Sequence, residues 1–185
     1  MRILATDIGG THARAAFVEK RGPGGWDIGA VREIRTPRTA AGLLRWLKER
    51  AADAEGCALG IAGSIRDHRY ARNSPNILFI RSTPRDLGGQ ITNALRKPCV
   101  VVNDMEAALA GEVSTGVLRS CRWAMMDTVS TGWGGALLLN GEIVAGEPGH
   151  TPSGLFENRE CRLGQKDCNE AHFSGSQVEQ RVRLI

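Results

Sequence analysis

Two short segments of the chain combine glycines with a hydroxyl side chain, a composition typical of loops that bind phosphate groups. The first is Asp7–Thr11 (DIGGT) and the second is Ser130–Gly135 (STGWGG). The two glycines of the first segment can adopt backbone angles closed to other residues, which lets their N–H groups approach an anion. Asp7 supplies a carboxylate for a hydrated Mg²⁺ beside a polyphosphate. Each segment alone is also compatible with an ordinary hairpin turn, whereas two such turns indicate a polyphosphate bound from both sides.

A second candidate for chemistry is the pair Asn103-Asp104, which follows an apolar segment at residues 99–102. Ligand sites in α/β proteins lie at the carboxyl ends of strands. An aspartate there can accept the proton of a substrate hydroxyl while that hydroxyl attacks a phosphoryl group. Asn and Asp are also good helix N-caps, so the pair has a purely structural alternative.

A third candidate is a metal site in the last quarter of the chain. His150, Cys161 and Cys168 offer three ligands suited to zinc, whereas a closed structural zinc site has four. The alternative is two buried thiols and a surface histidine, and the spacing alone favours that alternative.

The hydrophobic pattern and the turn residues predict an α/β fold. The elements of this fold must position the candidate residues. The segment at residues 57–62 follows a helix, so we expect it to run parallel to the first strand. Strands are predicted at residues 3–6, 13–18, 26–35, 57–62, 99–102, 123–129, 136–139 and 142–145, with a turn at residues 21–25 and helices at about 43–47, 87–95 and 105–113.

The composition limits the partners. The chain has 24 Lys and Arg against 20 Asp and Glu, a net charge of +4, and its arginines are scattered, so we expect no nucleic-acid partner. No apolar run approaches the ~20 residues of a membrane span, so we expect no membrane partner. The chain begins with a strand, which predicts that it has no signal peptide. Its five cysteines show no secreted pattern and predict the reducing cytoplasm.

Four segments resemble, in order and spacing, the motifs of ROK-family sugar kinases, a family named for repressor, open reading frame and kinase. These segments are residues 7–11, 103–104, 130–135 and 147–150 (EPGH). Residues 161–171 (CRLGQKDCNEA) are similar to the zinc-and-sugar signature of that family. The resemblance implies an α/β fold of the ribonuclease H-like (actin-like ATPase) type, with a mixed sheet and flanking helices. It also implies an N-terminal ribonuclease H-like lobe at residues 1–116 and the start of a C-terminal lobe at residues 117–185, expected to be incomplete.

The same resemblance implies an ATP-dependent hexose kinase of the glucokinase type, with Mg²⁺-ATP as the phosphoryl donor. Asp104 corresponds to the catalytic base. The expected contacts to ATP and Mg²⁺ are Asp7, Gly9, Gly10, Thr11, Thr131, Gly132 and Gly134. The expected sugar contacts are Gly63, Asn76, Asn103, Glu147, His150 and Glu170. The expected zinc ligands are His150, Cys161 and Cys168.

Three features depart from the family pattern. Leu163 replaces a usual cysteine, so the protein offers only three zinc ligands, and Trp133 is bulkier than the residue expected in a phosphate turn. The chain ends at Ile185 without a counterpart of the family's adenosine-binding loop or closing helix. The alternative function is therefore a shortened, non-catalytic relative that binds a sugar or a phosphate.

Two further expectations follow from the same comparison with the family. ROK repressors carry an N-terminal helix-turn-helix that this sequence does not show, so DNA binding is not expected. An incomplete second lobe would expose apolar strand edges at residues 123–129 and 136–139, which predicts either a homodimer that covers them or poor solubility.

Overall fold

The computed structural model describes residues 1–22, 25–74, 76–81 and 83–183. The chain divides into two compact units, Met1–Ala107 and Ala108–Ile185. The lobe boundary predicted between residues 116 and 117 stays a prediction. The turn predicted at residues 21–25 includes Pro23 and Gly24, which lie outside the described residues.

The first unit is built on a mixed sheet. Its strands are β1 (Arg2–Ile8), β2 (His12–Arg21), β3 (Gly25–Ile28), β4 (Arg32–Arg35), β5 (Gly56–Ile61), β6 (Ser64–Arg66), β7 (Tyr70–Arg72), β8 (Arg85–Asp86) and β9 (Cys99–Asn103), and its helices are α1 (Ala40–Lys48), α2 (Leu87–Leu95) and the beginning of α3 (Asp104–Ser114). The main sheet has the order β3-β2-β1-β5-β9, and β4 also pairs with β2. A smaller sheet has the order β6-β7-β8. Strands β1, β5 and β9 are parallel, whereas β2 is antiparallel to β1.

The predicted single strand at residues 26–35 is wrong, because the structure has two strands there. β3 pairs with Val18–Arg21 and β4 pairs with His12–Ala15, so the ten-residue strand β2 accommodates both. Gly29 lies at the interruption, where its N–H donates to the carbonyl of Phe17 at 2.8 Å. Glycine weakens a strand interior, which explains why the pairing breaks at this point.

The helices α1 and α2 cover the apolar face of the sheet. Their N-caps are Thr39 and Asp86, whose side chains accept the N–H groups of Gly42 and Gly89. Because side chains alternate along a strand, every second residue of β1 and β5 enters one core with the helices. The fully buried members of that core include Leu4, Ile8, Leu43, Leu47, Leu59, Ile61, Leu87 and Ile91.

In its described residues, the second unit contains the rest of α3, a three-stranded antiparallel sheet and two short helices. The elements are β10 (Trp123–Val129), β11 (Trp133–Leu139), β12 (Glu142–Gly146), a 3₁₀ turn (Pro148–His150), α4 (Asn169–Phe173) and α5 (Gly175–Val182). β11 lies between β10 and β12. The expectation of an exposed edge at residues 136–139 is therefore wrong, because both sides of β11 are paired, and Leu138 is fully buried.

The longest helix in the part of the chain that the structure describes is α3, with 11 residues. No helix of that part has both the length and the apolar character needed to cross a membrane.

Candidate active site

The first glycine turn connects β1 to β2 and is held by Thr36. The Thr36 hydroxyl donates to the carbonyl of Gly9 at 2.7 Å, and the Thr36 N–H donates to the carbonyl of Thr11 at 2.9 Å. Thr36 was not among the residues predicted from the sequence. Its position depends on the pairing of β4 with β2, and no residue type in the sequence signals that register.

The two glycines of this turn act differently from expectation. Among the described residues, those with positive φ do not include Gly9 or Gly10, so neither uses backbone angles closed to other residues. The Gly9 N–H is already bound to the carbonyl of His12 at 3.0 Å. Gly10 is required by space instead, because a Cβ at this position would lie 2.5 Å from the Cβ of Asn76. The predicted sugar contact Asn76 therefore packs directly against the predicted phosphate turn.

Two carboxylates lie at the carboxyl ends of the parallel strands. Asp7 is aligned with Gly60 of β5, and Asp104 follows the last residue of β9. A Cβ on Gly60 would point toward α3, 3.8 Å from the Cα of Asp104, so Asp7 and Asp104 share one face of the sheet. A guanidinium nitrogen of Arg14 lies 3.5 Å from the Asp7 carboxylate.

The environment of Asp104 disfavours its charged form. Burial is the main reason that the pKa of Asp104 lies above its ordinary value, and the negative charge of Asp7 raises it further. The N–H of Met105 donates to this carboxylate at 3.0 Å and opposes that shift. A carboxylate with a raised pKa at the end of a strand has the properties of a general base.

The neighbouring residue Asn103 caps α3. Its Oδ1 accepts the N–H groups of Met105 at 2.8 Å and Glu106 at 3.3 Å, and the Glu106 carboxylate accepts the Asn103 N–H at 3.0 Å. This reciprocal arrangement is a capping box. Helix N-capping, which is the structural alternative to a catalytic role for this pair, is therefore the role of Asn103 in the fold.

Asn103 also ties α3 to the loop after β5. Its Nδ2 donates to the carbonyl of Gly63 at 3.0 Å. Gly63 has φ +133°, and a Cβ there would lie 2.8 Å from the carbonyl oxygen of Arg72, so the position requires glycine. The first unit thus gathers eight of the predicted site residues at one end of its sheet, namely Asp7, Gly9, Gly10, Thr11, Gly63, Asn76, Asn103 and Asp104.

The second glycine turn is shorter than predicted. It comprises residues 130–132, because Trp133 and Gly134 already belong to β11, opposite Val129 and Thr128. Trp133, which is bulkier than the residue expected in a phosphate turn, is the first residue of β11. A Cβ on Gly149 would overlap the carbonyl of Trp133, so these backbones are in close contact.

The side chain of Glu170 contacts this second turn. Its Oε2 accepts the N–H of Trp133 at 3.0 Å, and a Cβ on Gly132 would lie 2.6 Å from the same oxygen. The carbonyls of Ser130 and Thr131 accept hydrogen bonds from the Gly175 N–H and the Ser176 hydroxyl. Glu147 is exposed and directly precedes the 3₁₀ turn that contains His150.

The three predicted zinc ligands lie together. His150 Nδ1 is 3.7 Å from the Cys161 sulfur and 3.9 Å from the Cys168 sulfur, and the three ligand atoms lie within 4.8 Å of one another. A tetrahedral zinc ion with bonds of about 2.0–2.3 Å separates its ligand atoms by about 3.6–3.8 Å. The cluster therefore fits three corners of a zinc site.

Comparison with known proteins identifies the family. The model of the ROK family matches residues 3–184. The chain belongs to the ROK family. It is 32% identical over 202 residues to an N-acetylmannosamine kinase from Haemophilus influenzae, an alignment covering 97% of this chain and 61% of that relative. It is 33% identical over 190 residues to an N-acetylmannosamine kinase from Yersinia pseudotuberculosis, covering 95% of this chain and 62% of that relative. The chain thus spans less than two thirds of the length of these curated relatives.

Solved ROK structures confirm the predicted fold class. A ROK family glucokinase from Streptomyces griseus, in complex with glucose and AMPPNP, matches with a TM-score of 0.81 and 27% identity, covering 100% of this chain and 62% of that chain. A ROK hexokinase from Thermus thermophilus matches with a TM-score of 0.80 and 25% identity, covering 100% of this chain and 64% of that chain. The protein therefore has the mixed α/β architecture of the actin-like ATPase fold.

The segment around the cysteines of this ROK protein is ordered by a buried histidine that the sequence analysis missed. His172 is fully buried, and its Nε2 lies 3.1 Å from an Asp167 oxygen. Asp167 also accepts the N–H groups of Asn158 and Arg159, which fixes the loop before Cys168. Leu163 is 54% exposed and does not fill the fourth corner of the cluster.

Proposed function

We propose that this ROK protein transfers a phosphoryl group from Mg²⁺-ATP to a hydroxyl of a hexose or an N-acetylated hexose. The observation that carries the proposal is Asp104, a partly buried carboxylate with a raised pKa at the carboxyl end of β9, on the same face as Asp7. In this mechanism Asp104 accepts the proton of the sugar hydroxyl as that oxygen attacks the γ-phosphorus. Relatives named as sugar kinases support this reaction class.

The magnesium contact is assigned to Asp7. Its side chain is 55% exposed at the end of β1, and Mg²⁺ is commonly held by one or two carboxylates together with substrate phosphates. When bound, the ion would neutralise charge on the transferred phosphoryl group. Because the Gly9 N–H is occupied, we assign the first phosphate contacts to the backbone of Gly10 and Thr11 and to the Thr11 hydroxyl.

The remaining roles are assigned in the same way. Thr131 and Gly132 in the second turn and Gly134 in β11 bind phosphate. The residues that hold the sugar are Gly63, Asn76, Asn103, Glu147, His150 and Glu170. Asn103 and Glu170 have structural roles as well, since Asn103 caps α3 and Glu170 binds the backbone of Trp133. Their role is therefore to orient neighbouring backbone as well as to bind a hydroxyl.

The acceptor sugar is tested directly. We propose glucose and N-acetylmannosamine as the first substrates, because the Streptomyces griseus structure contains glucose and the Haemophilus influenzae relative is named for N-acetylmannosamine. ADP release should be measured with these two sugars and with mannose, fructose and N-acetylglucosamine, beside calorimetric titrations of ATP and of each sugar. Sugar-dependent ADP release supports the proposal, whereas sugar binding with neither ATP binding nor ADP release supports a non-catalytic relative.

Three further assignments accompany the activity. We propose that His150, Cys161 and Cys168 bind zinc, with the fourth position taken by a ligand other than Leu163. We also propose a reducing cytoplasmic location, which the cysteine pattern of the sequence predicts. We also propose that the edge strand β10 takes part in a homodimer, since Trp123, Met125 and Val129 are exposed along it.

A further inference from the structure

Two cysteines outside the proposed active site face each other in the main sheet. Cys57 of β5 and Cys99 of β9 are register partners in a parallel pair. Neighbouring strands lie about 4.8 Å apart, and register partners project to the same face. That separation falls within the range of about 4.4–6.8 Å that a disulfide requires between Cα atoms.

The two thiols differ in their access to solvent. Cys57 is 3% exposed and belongs to the core, whereas Cys99 is partly exposed. Cys99 lines a cavity of about 320 Å³ whose walls are the turn between β6 and β7 and residues of α2 from Gly88 to Asn93. A small oxidant can therefore reach Cys99 from solvent more readily than it can reach Cys57.

The two thiols also differ in acidity. A hydrogen bond with Cys99, together with burial, raises the pKa of Cys57, and the same hydrogen bond lowers the pKa of Cys99. His68 and Arg69 stand in the wall of the cavity, and Arg69 is paired with Asp86. The reactivity of a cysteine depends on its thiolate character and its access to solvent. Cys99 exceeds Cys57 in both.

We propose that Cys57 and Cys99 form a peroxide-responsive dithiol, in which Cys99 is oxidised first and Cys57 resolves it. The Cys99 thiolate attacks one oxygen of hydrogen peroxide, the O–O bond breaks, and the products are the sulfenic acid of Cys99 and hydroxide. The Cys57 sulfur then attacks the Cys99 sulfur, the S–O bond breaks, and the departing hydroxide takes the Cys57 proton to form water. Peroxide is reduced by two electrons, and the two thiols are oxidised to one disulfide.

This site is separate from the proposed phosphoryl transfer. Cys99 lies four residues before Asn103 on β9, a distance of about 13 Å along a strand. The disulfide would join β5 to β9 at the ends opposite the carboxylates. Its formation can therefore be detected whether or not the chain phosphorylates a sugar.

The test is a peptide map of the oxidised wild-type protein. The folded protein is treated with hydrogen peroxide, remaining thiols are blocked with N-ethylmaleimide in denaturant, and the chain is digested with trypsin without reduction. All five cysteines fall on different tryptic peptides, with Cys57 in residues 51–66 and Cys99 in residues 97–119. We expect these two peptides to become cross-linked and to separate again after dithiothreitol.

Variants test the order of the two steps. In Cys57→Ala, the sulfenic acid of Cys99 cannot be resolved, so labelling of Cys99 by dimedone should rise roughly tenfold over the wild type. Cys121→Ser, which removes an exposed thiol, should leave the cross-link unchanged. The proposal is overturned if Cys57 and Cys99 both remain open to alkylation while other cysteines oxidise, or if dimedone labels Cys57 in the wild type. The wild-type map decides the question even if Cys57→Ala does not fold.

Discussion

At position 104 the folded protein keeps a carboxylate where burial and a second carboxylate both oppose its charge. A base with a raised pKa binds the abstracted proton more tightly than an exposed aspartate would. We expect Asp104→Asn to lower sugar-dependent ADP release by about 10²–10⁴-fold, with sugar affinity nearly unchanged. Steady-state kinetics and calorimetry measure the two quantities. Equal turnover by the variant would remove Asp104 from the mechanism.

The same substitution, which should lower activity, should raise the stability of the folded protein at neutral pH. An aspartate whose pKa is raised by folding stabilises the protein when protonated, and this contribution is lost as pH rises through the folded pKa. Asp104→Asn should therefore raise the melting temperature at pH 7 and change it little at pH 3, where the wild-type carboxyl is protonated. Thermal unfolding at both pH values is the measurement, and an equal shift at both would contradict the assigned cause.

The sequence predicted this pair of residues only in part. It indicated that Asn103 and Asp104 end a strand and begin a helix, because an apolar run followed by two capping residues is a local pattern. It left open which of the two caps the helix. That depends on the position of Glu106 and on the distant carbonyl of Gly63, which only the folded chain brings together.

Among the elements, the turn between β1 and β2 depends on close packing at Gly10. We expect Gly10→Ala to destabilise the protein and weaken ATP binding, because the new methyl would lie 2.5 Å from the Cβ of Asn76. Gly111→Ala is the matched control, since a Cβ there meets nothing within 4 Å and alanine stabilises a helix by about 1 kcal/mol over glycine. Denaturant unfolding and ATP titration measure both effects. A Gly10→Ala protein as stable as the wild type would show that Asn76 yields easily.

Most elements followed from local signals in the sequence, and the errors came from pairing. The helices after Thr39 and Asp86 were predicted because caps and apolar spacing are encoded locally. The separation of β3 from β4 and the central position of β11 in its sheet were not predicted, because both depend on the pairing of strands in the folded protein. Thr36 was missed for the same reason, and so was the pair Cys57 and Cys99, which lie far apart in the sequence.

For the molecule as a whole, zinc should be a source of stability that one substitution can strengthen. Because the cluster offers three ligands, we expect Zn²⁺ to raise the melting temperature and Leu163→Cys to tighten zinc binding by about tenfold or more, equivalent to about 1.4 kcal/mol. Competition with a chromogenic chelator measures the affinity. Cys161→Ser is the loss-of-ligand control, and zinc binding unaffected by either change would place the metal elsewhere.

The proposed homodimer gives a second prediction for the whole molecule. Met125 is 58% exposed on the edge strand β10, so Met125→Lys should shift a dimer toward monomer in sedimentation velocity. Val117→Lys is the control, because Val117 is 89% exposed but lies outside the strands. A wild-type protein that sediments as a monomer at all concentrations would contradict the proposed dimer.

Strand β1 also sets an order of events in folding. It pairs with β2 across a short turn, whereas three strands and a helix separate it from its other partner, β5, along the sequence. Hairpins form in about 1–10 μs, whereas a distant parallel pairing must first overcome the entropy of closing a long loop. In pulse-labelled hydrogen exchange, amides of β1 and β2 should be protected before those of β9. The turn at Gly9–Thr11 would then exist well before the carboxylate of Asp104 reaches its place.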